Sequence, residues 1–301
     1  TQPNALNKSQ NDDLYNKKKI NGQFDIVLTN PPFSVELDKE TEKNLKTSFI
    51  FGEKKNSENY FIERYYQLLK ENGRLGIILP DSVYDTTENK YIRLFMYKFF
   101  KFKAVVSLPQ LTFQPYTSTK TSLLFLQKKT SKEIQNWNNT WNKQSNVWSN
   151  LKTRTENLIK VYLENQKRSK FPSIKDLKEK DEKEILAKIL KYYLINEDLD
   201  LSIKDIIKKY SNELKLFCKI DNDTKDTFGF VNTWWVFGEV TKEDDYSIFM
   251  SEVENVGYKR TKRGENKKPN DLFRTNSSGE VIVDDGVKKT VLDHLREIEW
   301  D

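Results

Sequence analysis

The chain has 301 residues, of which 36% are apolar and 32% charged, and its 51 Lys+Arg against 45 Asp+Glu leave a net charge of +6. The apolar share lies below the roughly 45–50% of an ordinary soluble domain, so the core is thin, yet 13% aromatics is too rich for a chain that cannot bury itself. The lack of a long uncharged apolar run excludes a spanning helix, the single cysteine, Cys218, excludes an intrachain disulfide, and the single histidine, His294, excludes in practice a metal centre built on His and Cys.

In chain order, residues 1–23 are polar and rich in Asn and Lys, an irregular lead-in. The opening Thr1-Gln2-Pro3-Asn4 has no basic-then-apolar leader, which points to the cytoplasm, and no initiator Met, which points to a fragment or a processed chain. Phe24-Asp-Ile-Val-Leu-Thr29 is a short apolar run stopped by Asn-Pro-Pro and reads as a buried strand. Phe61, Tyr65, Leu68 and Leu69 share a helical face, with Gly73 as the stop signal. Leu75–Leu79 is the next strand, Tyr91, Ile92, Phe95 and Phe99 mark an amphipathic helix, and Ala104–Leu108 and Ser122–Leu126 are two more strands. This alternation over residues 1–130 predicts an α/β sheet with helices on its faces.

Residues 131–230 read as a polar helical extension. Trp137, Trp141 and Trp148 share one face; Ile185, Leu186, Ile189, Leu190, Tyr193 and Leu194 make a second stripe, and Ile203, Ile206, Ile207, Tyr210, Leu214 and Phe217 a third. Such stripes point to packing rather than to a cofactor box. Residues 231–301 read as a small α+β region, with strands at Trp234–Phe237 and Ser247–Ser251 and His294 on a terminal helix. Within it, Lys259, Arg260, Lys262, Arg263, Lys267 and Lys268 stand against Glu265 alone. That run is either a solvated loop or a strip that contacts nucleic-acid phosphates.

The chemistry concentrates in Asn30-Pro31-Pro32-Phe33, directly after the first strand. In open α/β folds ligands bind at the carboxyl ends of strands. A residue before proline is held extended, and two prolines in series stiffen the turn they open. Neither proline offers an N–H, so the local backbone presents acceptors only, joined by the Asn30 amide oxygen. Acceptors in a row suit a substrate that presents an amino group, and Phe33 supplies a flat apolar face beside them.

This segment resembles motif IV of the amino-methyltransferases that use S-adenosylmethionine, and with Phe in the last place it is most similar to the N6-adenine DNA methyltransferases. Asn72–Asp81, Ser107–Pro109, Phe113–Phe125 and, more loosely, Ser251–Tyr258 and Pro269–Phe273 are similar to the modification subunits of type I restriction-modification systems. The resemblance implies an α/β fold: the second half of a Rossmann-like methyltransferase sheet in residues 1–130, then the helical region and the small β-containing part. It implies methyl transfer to adenine N6, with the Asn30 side chain and the Pro31 carbonyl accepting from the amino group. It implies a base flipped out of the duplex against Phe33, with Tyr116 or Phe113 as a second aromatic wall. The implied cofactor is S-adenosylmethionine, and the implied partners are double-stranded DNA and a specificity subunit, with no membrane. Arg260, Lys262, Arg263, Lys267 and Lys268 would hold DNA phosphates.

The glycine-rich turn of that family's cofactor site is missing. Only Gly22 precedes Asn30, and no G-x-G occurs in the chain. Asn4-Ala5-Leu6 is similar to the tail of an earlier family segment, with Asn where Asp is usual. The expectation is a target-base half completed by an N-terminal half or a partner, inactive alone, whose first strand is left as an open edge. Pro80-Asp81 with Glu88-Asn89-Lys90 imitates a metal-nuclease pattern at too short a spacing, and Asp81 reads instead as a helix N-cap. Two other readings stay open: an assembly module that docks a specificity subunit, and a methyltransferase acting on RNA bases or glutamine side chains. The helical arm favours the restriction-modification reading over the latter.

Overall fold

Four apolar runs become strands: β1 (Phe24–Thr29), β2 (Leu69–Pro80), β3 (Phe100–Ser107) and β4 (Thr121–Lys128). The structure is a computed structural model. It describes residues 20–33, 57–86, 89–223, 233–261, 264–283 and 289–300, with positions 39, 49 and 286. A fifth strand, β5 (Phe249–Glu252), joins the other four in one sheet of order β1-β2-β4-β3-β5. β1 runs parallel to β2 and β5 parallel to β3, while β4 is antiparallel to both its neighbours.

Two helices close the apolar side of this sheet. α1 (Ser57–Leu68) contributes Tyr60 and Ile62, and α3 (Lys90–Phe99) contributes Ile92, Leu94, Phe95 and Met96, all buried with Leu75, Ile77 and Leu79 of β2. A single turn, α2 (Ser82–Asp85), lies between them. Tyr66 of α1 joins this core, its ring meeting Phe95, Phe99 and Phe100.

α1 ends at Leu68 rather than running to Gly73. The chain enters β2 at once, and the turn signal acts inside that strand. Asn72 takes a left-handed φ of 61° next to Gly73, where the pairing with β1 jumps from Phe24↔Leu69 to Ile26↔Arg74.

β1 corrects the expectation of a buried strand. Among the described residues it is paired on one side only, and Phe24, Ile26 and Leu28 are 44%, 57% and 77% exposed. The open edge expected on the family resemblance describes it better.

The chain divides into two compact units, residues 1–134 with 246–301, and residues 135–245. A separate C-terminal region at 231–301 is therefore corrected. Residues 246–301 return to the first unit, where β5 extends the sheet and Val106, Leu108, Val253, Val256 and Val291 form one core cluster. A helix, α8 (Thr233–Glu243), replaces the strand expected at Trp234–Phe237. Its Trp235, Val236 and Val240 are buried, and Trp235 Nε1 donates to the Lys188 carbonyl at 2.9 Å. Taken only as far as Phe237, the apolar run has the look of a strand; Val240 completes the helical period.

Every regular element among the described residues of the second unit is a helix. α4 (Ser131–Tyr162) carries Trp137, Trp141 and Trp148 buried on one face. α5 (Glu179–Ile189) comes next, and the third predicted stripe spans α6 (Ile203–Lys209) and α7 (Ser211–Asp223), broken at Tyr210. No helix among the described residues is long and apolar enough to cross a membrane.

Candidate active site

β1 and β2 run parallel, so the residues after Thr29 and after Pro80 emerge at the same end of the sheet. Thr29 is pinned there: its hydroxyl lies 2.8 Å from the Tyr65 hydroxyl of α1. Burial pushes the Tyr65 phenol up, and the Thr29 contact works against that rise. Pro31 is buried while Asn30 and Pro32 are exposed. Among the described residues the Asn30 amide makes no hydrogen bond. The strand end is thus anchored on both sides of an Asn side chain that is left open to a ligand, which is the result expected of two flanking prolines and a buried tether.

Phe33 is half-buried, and its ring meets Phe113 at 6.2 Å with an interplanar angle of 79°. An edge-on contact leaves flat faces of both rings uncovered by each other. Phe113 sits in the loop between β3 and β4, whose backbone is closed by Tyr116 and Thr117 N–H groups donating to the Phe113 carbonyl at 3.0 and 3.2 Å. The same ring packs against the Val106–Val291 core cluster. Tyr116 lies apart, 84% exposed. Of the two aromatics weighed as a second wall, Phe113 is therefore the one the fold brings to Phe33.

Asp81 corrects its reading as a cap. It precedes α2 but makes no side-chain capping bond; its carboxylate instead accepts from Ser122 Oγ at 2.8 Å, tying β2 to β4. The Tyr84 hydroxyl is buried with no hydrogen-bond partner among the described residues, and burial and the Asp81 charge both push its pKa up. Glu88 and Asn4-Ala5-Leu6 lie outside the described residues. No group of three or more His, Cys, Asp or Glu among the described residues could hold a metal ion.

The basic strip falls on a hairpin, β6 (Val256–Thr261) and β7 (Gly264–Asn270). Lys267 and Lys268 are exposed on β7. Arg260 is bound to Glu265 at 2.8 Å and lies over the Tyr258 ring at 5.3 Å. Lys262 and Arg263 lie outside the described residues. Sequence reasoning missed Tyr258, whose hydroxyl donates to the Thr112 carbonyl at 3.1 Å, one residue from Phe113. Thr29 and Tyr65 were also missed; no local pattern marks a hydrogen bond between residues 36 apart.

Against known proteins, the family described as N-6 DNA Methylase matches residues 2–200. The chain belongs to this family. It is 29% identical over 107 residues to the type I restriction enzyme EcoEI methylase subunit of Escherichia coli, covering 35% of this chain and 21% of that protein. It is 24% identical over 275 residues to the type II restriction enzyme and methyltransferase RM.Eco57I of the same species, covering 86% of this chain and 23% of that protein. A solved structure from a study of type I restriction-modification assembly shares 27% identity over 37% of this chain and 22% of its own, with a TM-score of 0.32. The chain therefore spans about a fifth of the length of the curated relatives it matches.

Proposed function

We propose that this chain carries the target-base part of an N6-adenine DNA methyltransferase of a restriction-modification system. The observation that carries the reading is a family member's Asn30-Pro31-Pro32-Phe33 at the carboxyl end of β1, beside Phe113. The amino nitrogen of adenine is a poor nucleophile because its lone pair is delocalised into the ring. The Asn30 amide oxygen and the Pro31 carbonyl accept from its two hydrogens and favour a pyramidal nitrogen with that pair free. Positioning and electrostatics supply the catalysis, with no strong base required. The base leaves the stack to reach them, and Phe33 and Phe113 offer it flat faces.

S-adenosylmethionine is the expected donor and supplies the methyl group when bound. The described residues do not fit its seat: none forms a glycine-rich turn at the end of a sheet strand, and no G-x-G occurs in the chain. The donor's seat is assigned to protein beyond these residues, and a specificity subunit is the expected reader of the DNA sequence. Arg260, Lys262, Arg263, Lys267 and Lys268 are proposed to face DNA phosphates. In the complete enzyme, Asn30→Ala should abolish methyl transfer while leaving cofactor affinity near wild type. Methylation of a cognate duplex at an undiminished rate would refute the assignment.

A further inference from the structure

Tyr258 faces Lys267, and Lys259 faces Asn266, across the β6–β7 hairpin. Between this hairpin and the Pro109–Thr112 loop lies a cavity of about 300 Å³. Leu111, Val256 and Tyr258 give it apolar walls, Lys259 and Lys268 give it positive charge, and Glu254 is the one carboxylate in its lining. That volume is at the small end of the roughly 300–1,000 Å³ range of ligand sites. It suits one phosphate with its sugar rather than a stretch of chain.

With the neighbouring Lys267, the two lysines differ from the other cations around the cavity. Arg260 is bound to Glu265, Arg274 to Asp293, Lys289 to Glu297, and Lys120 to Glu252. Among the described residues, the side chain of neither Lys259 nor Lys268 has an ion pair or a hydrogen bond. Two lysines without an ion pair against the single carboxylate of Glu254 leave the lining net positive, which favours an anion there. The cavity also touches the reacting end of the fold. Thr112 lines it, accepts the Tyr258 hydroxyl, and is followed by Phe113, which meets Phe33.

We propose that this cavity seats a phosphodiester group of the strand that bears the target base, held by Lys259 and Lys268. Tyr258 is a positioning residue that links this seat through Thr112 to the Phe113 wall. The inference rests on the methyltransferase reading and deepens it, since it assigns a place to the backbone of the substrate and adds Lys259 and Tyr258 to its contacts.

Duplex binding by the intact methyltransferase, measured over a series of salt concentrations, tests it. Lys259→Gln and Lys268→Gln should each reduce the slope of log K against log salt, and combined in one variant should reduce it by about 0.9, the share of the one phosphate contact they hold on B-DNA. Lys180→Gln, an exposed lysine of the helical unit, loses the same net charge and should leave the slope alone. Tyr258→Phe should keep the slope but lower the fluorescence gained by a base analogue at the target position. Unchanged slopes in both lysine variants, or an equal fall in Lys180→Gln, would overturn the seat. An unaltered base-analogue signal in Tyr258→Phe would overturn the link. Wild-type enzyme with no salt-dependent duplex binding would instead fail the methyltransferase reading itself, so the two failures are told apart.

Discussion

Phe33 and Phe113 form one edge-on pair, but the fold treats them differently. Phe33 comes after two prolines on a half-exposed loop, whereas Phe113 also packs against the Val106–Val291 core cluster. Removing the first should cost function, and removing the second should cost function and stability together. Phe33→Ala is expected to weaken capture of the flipped base by about 1–3 kcal/mol, the usual worth of a base–aromatic stack, with Phe33→Trp close to wild type. Phe113→Ala should lose base capture and in addition about 1–3 kcal/mol of folding stability. A fluorescent base analogue in the duplex reads the first quantity and urea unfolding the second. A stable Phe113→Ala variant with full base capture would remove Phe113 from the site. Asn30 shows how far a single residue was legible. Its type, its prolines and its place after an apolar run were all in the sequence, whereas the Thr29–Tyr65 tether that fixes the strand end was not.

Elements were legible where their period is long and unbroken. The sheet strands, α3 and the tryptophan face of α4 follow from apolar spacing alone. Legibility fails where a decision depends on distant chain. The burial of β1 turns on which strands flank it, and no local pattern carries that. The run at Trp234–Phe237 turns on Val240, three residues past its apparent end. The short strand β5 is visible in the sequence, but its pairing with β3 across some 140 residues, as Ala104↔Phe249, is not. The same dependence separates two glycines of β2. A Cβ at Gly73 would stand 2.9 Å from the Lys70 carbonyl oxygen and 3.2 Å from that of Phe24, both backbone atoms that cannot give way cheaply. A Cβ at Gly76 would crowd the Leu28 Cδ2 atom at 2.6 Å, the far end of an exposed side chain on the edge strand, and would meet the Phe125 ring at an ordinary 3.5 Å. Gly73→Ala is therefore expected to destabilise the protein by about 1–3 kcal/mol through overpacking, while Gly76→Ala is absorbed by rotation of Leu28. Urea midpoints of the two variants check the contrast, and a larger loss at Gly76 would contradict it.

At the scale of the whole molecule, the open edge of β1 and the chemistry of the site point the same way. The Asn-Pro-Pro turn is delivered by a strand that has a hydrogen-bonded neighbour on one side only among the described residues, and whose Leu28 is 77% exposed. An apolar edge with unpaired N–H and C=O groups tends to pair with whatever strand is offered. The sequence also carries no G-x-G to bring backbone close to a cofactor. These 301 residues, purified by themselves, are accordingly expected to self-associate and to give no appreciable heat on titration with S-adenosylmethionine. A Lys substituted for Leu28 charges the exposed edge, so it should reduce self-association of the 301-residue chain in sedimentation velocity without restoring cofactor binding. Micromolar cofactor binding by a monodisperse monomer of these residues would place the donor's seat within this chain and overturn the division of the active site between this chain and protein beyond it.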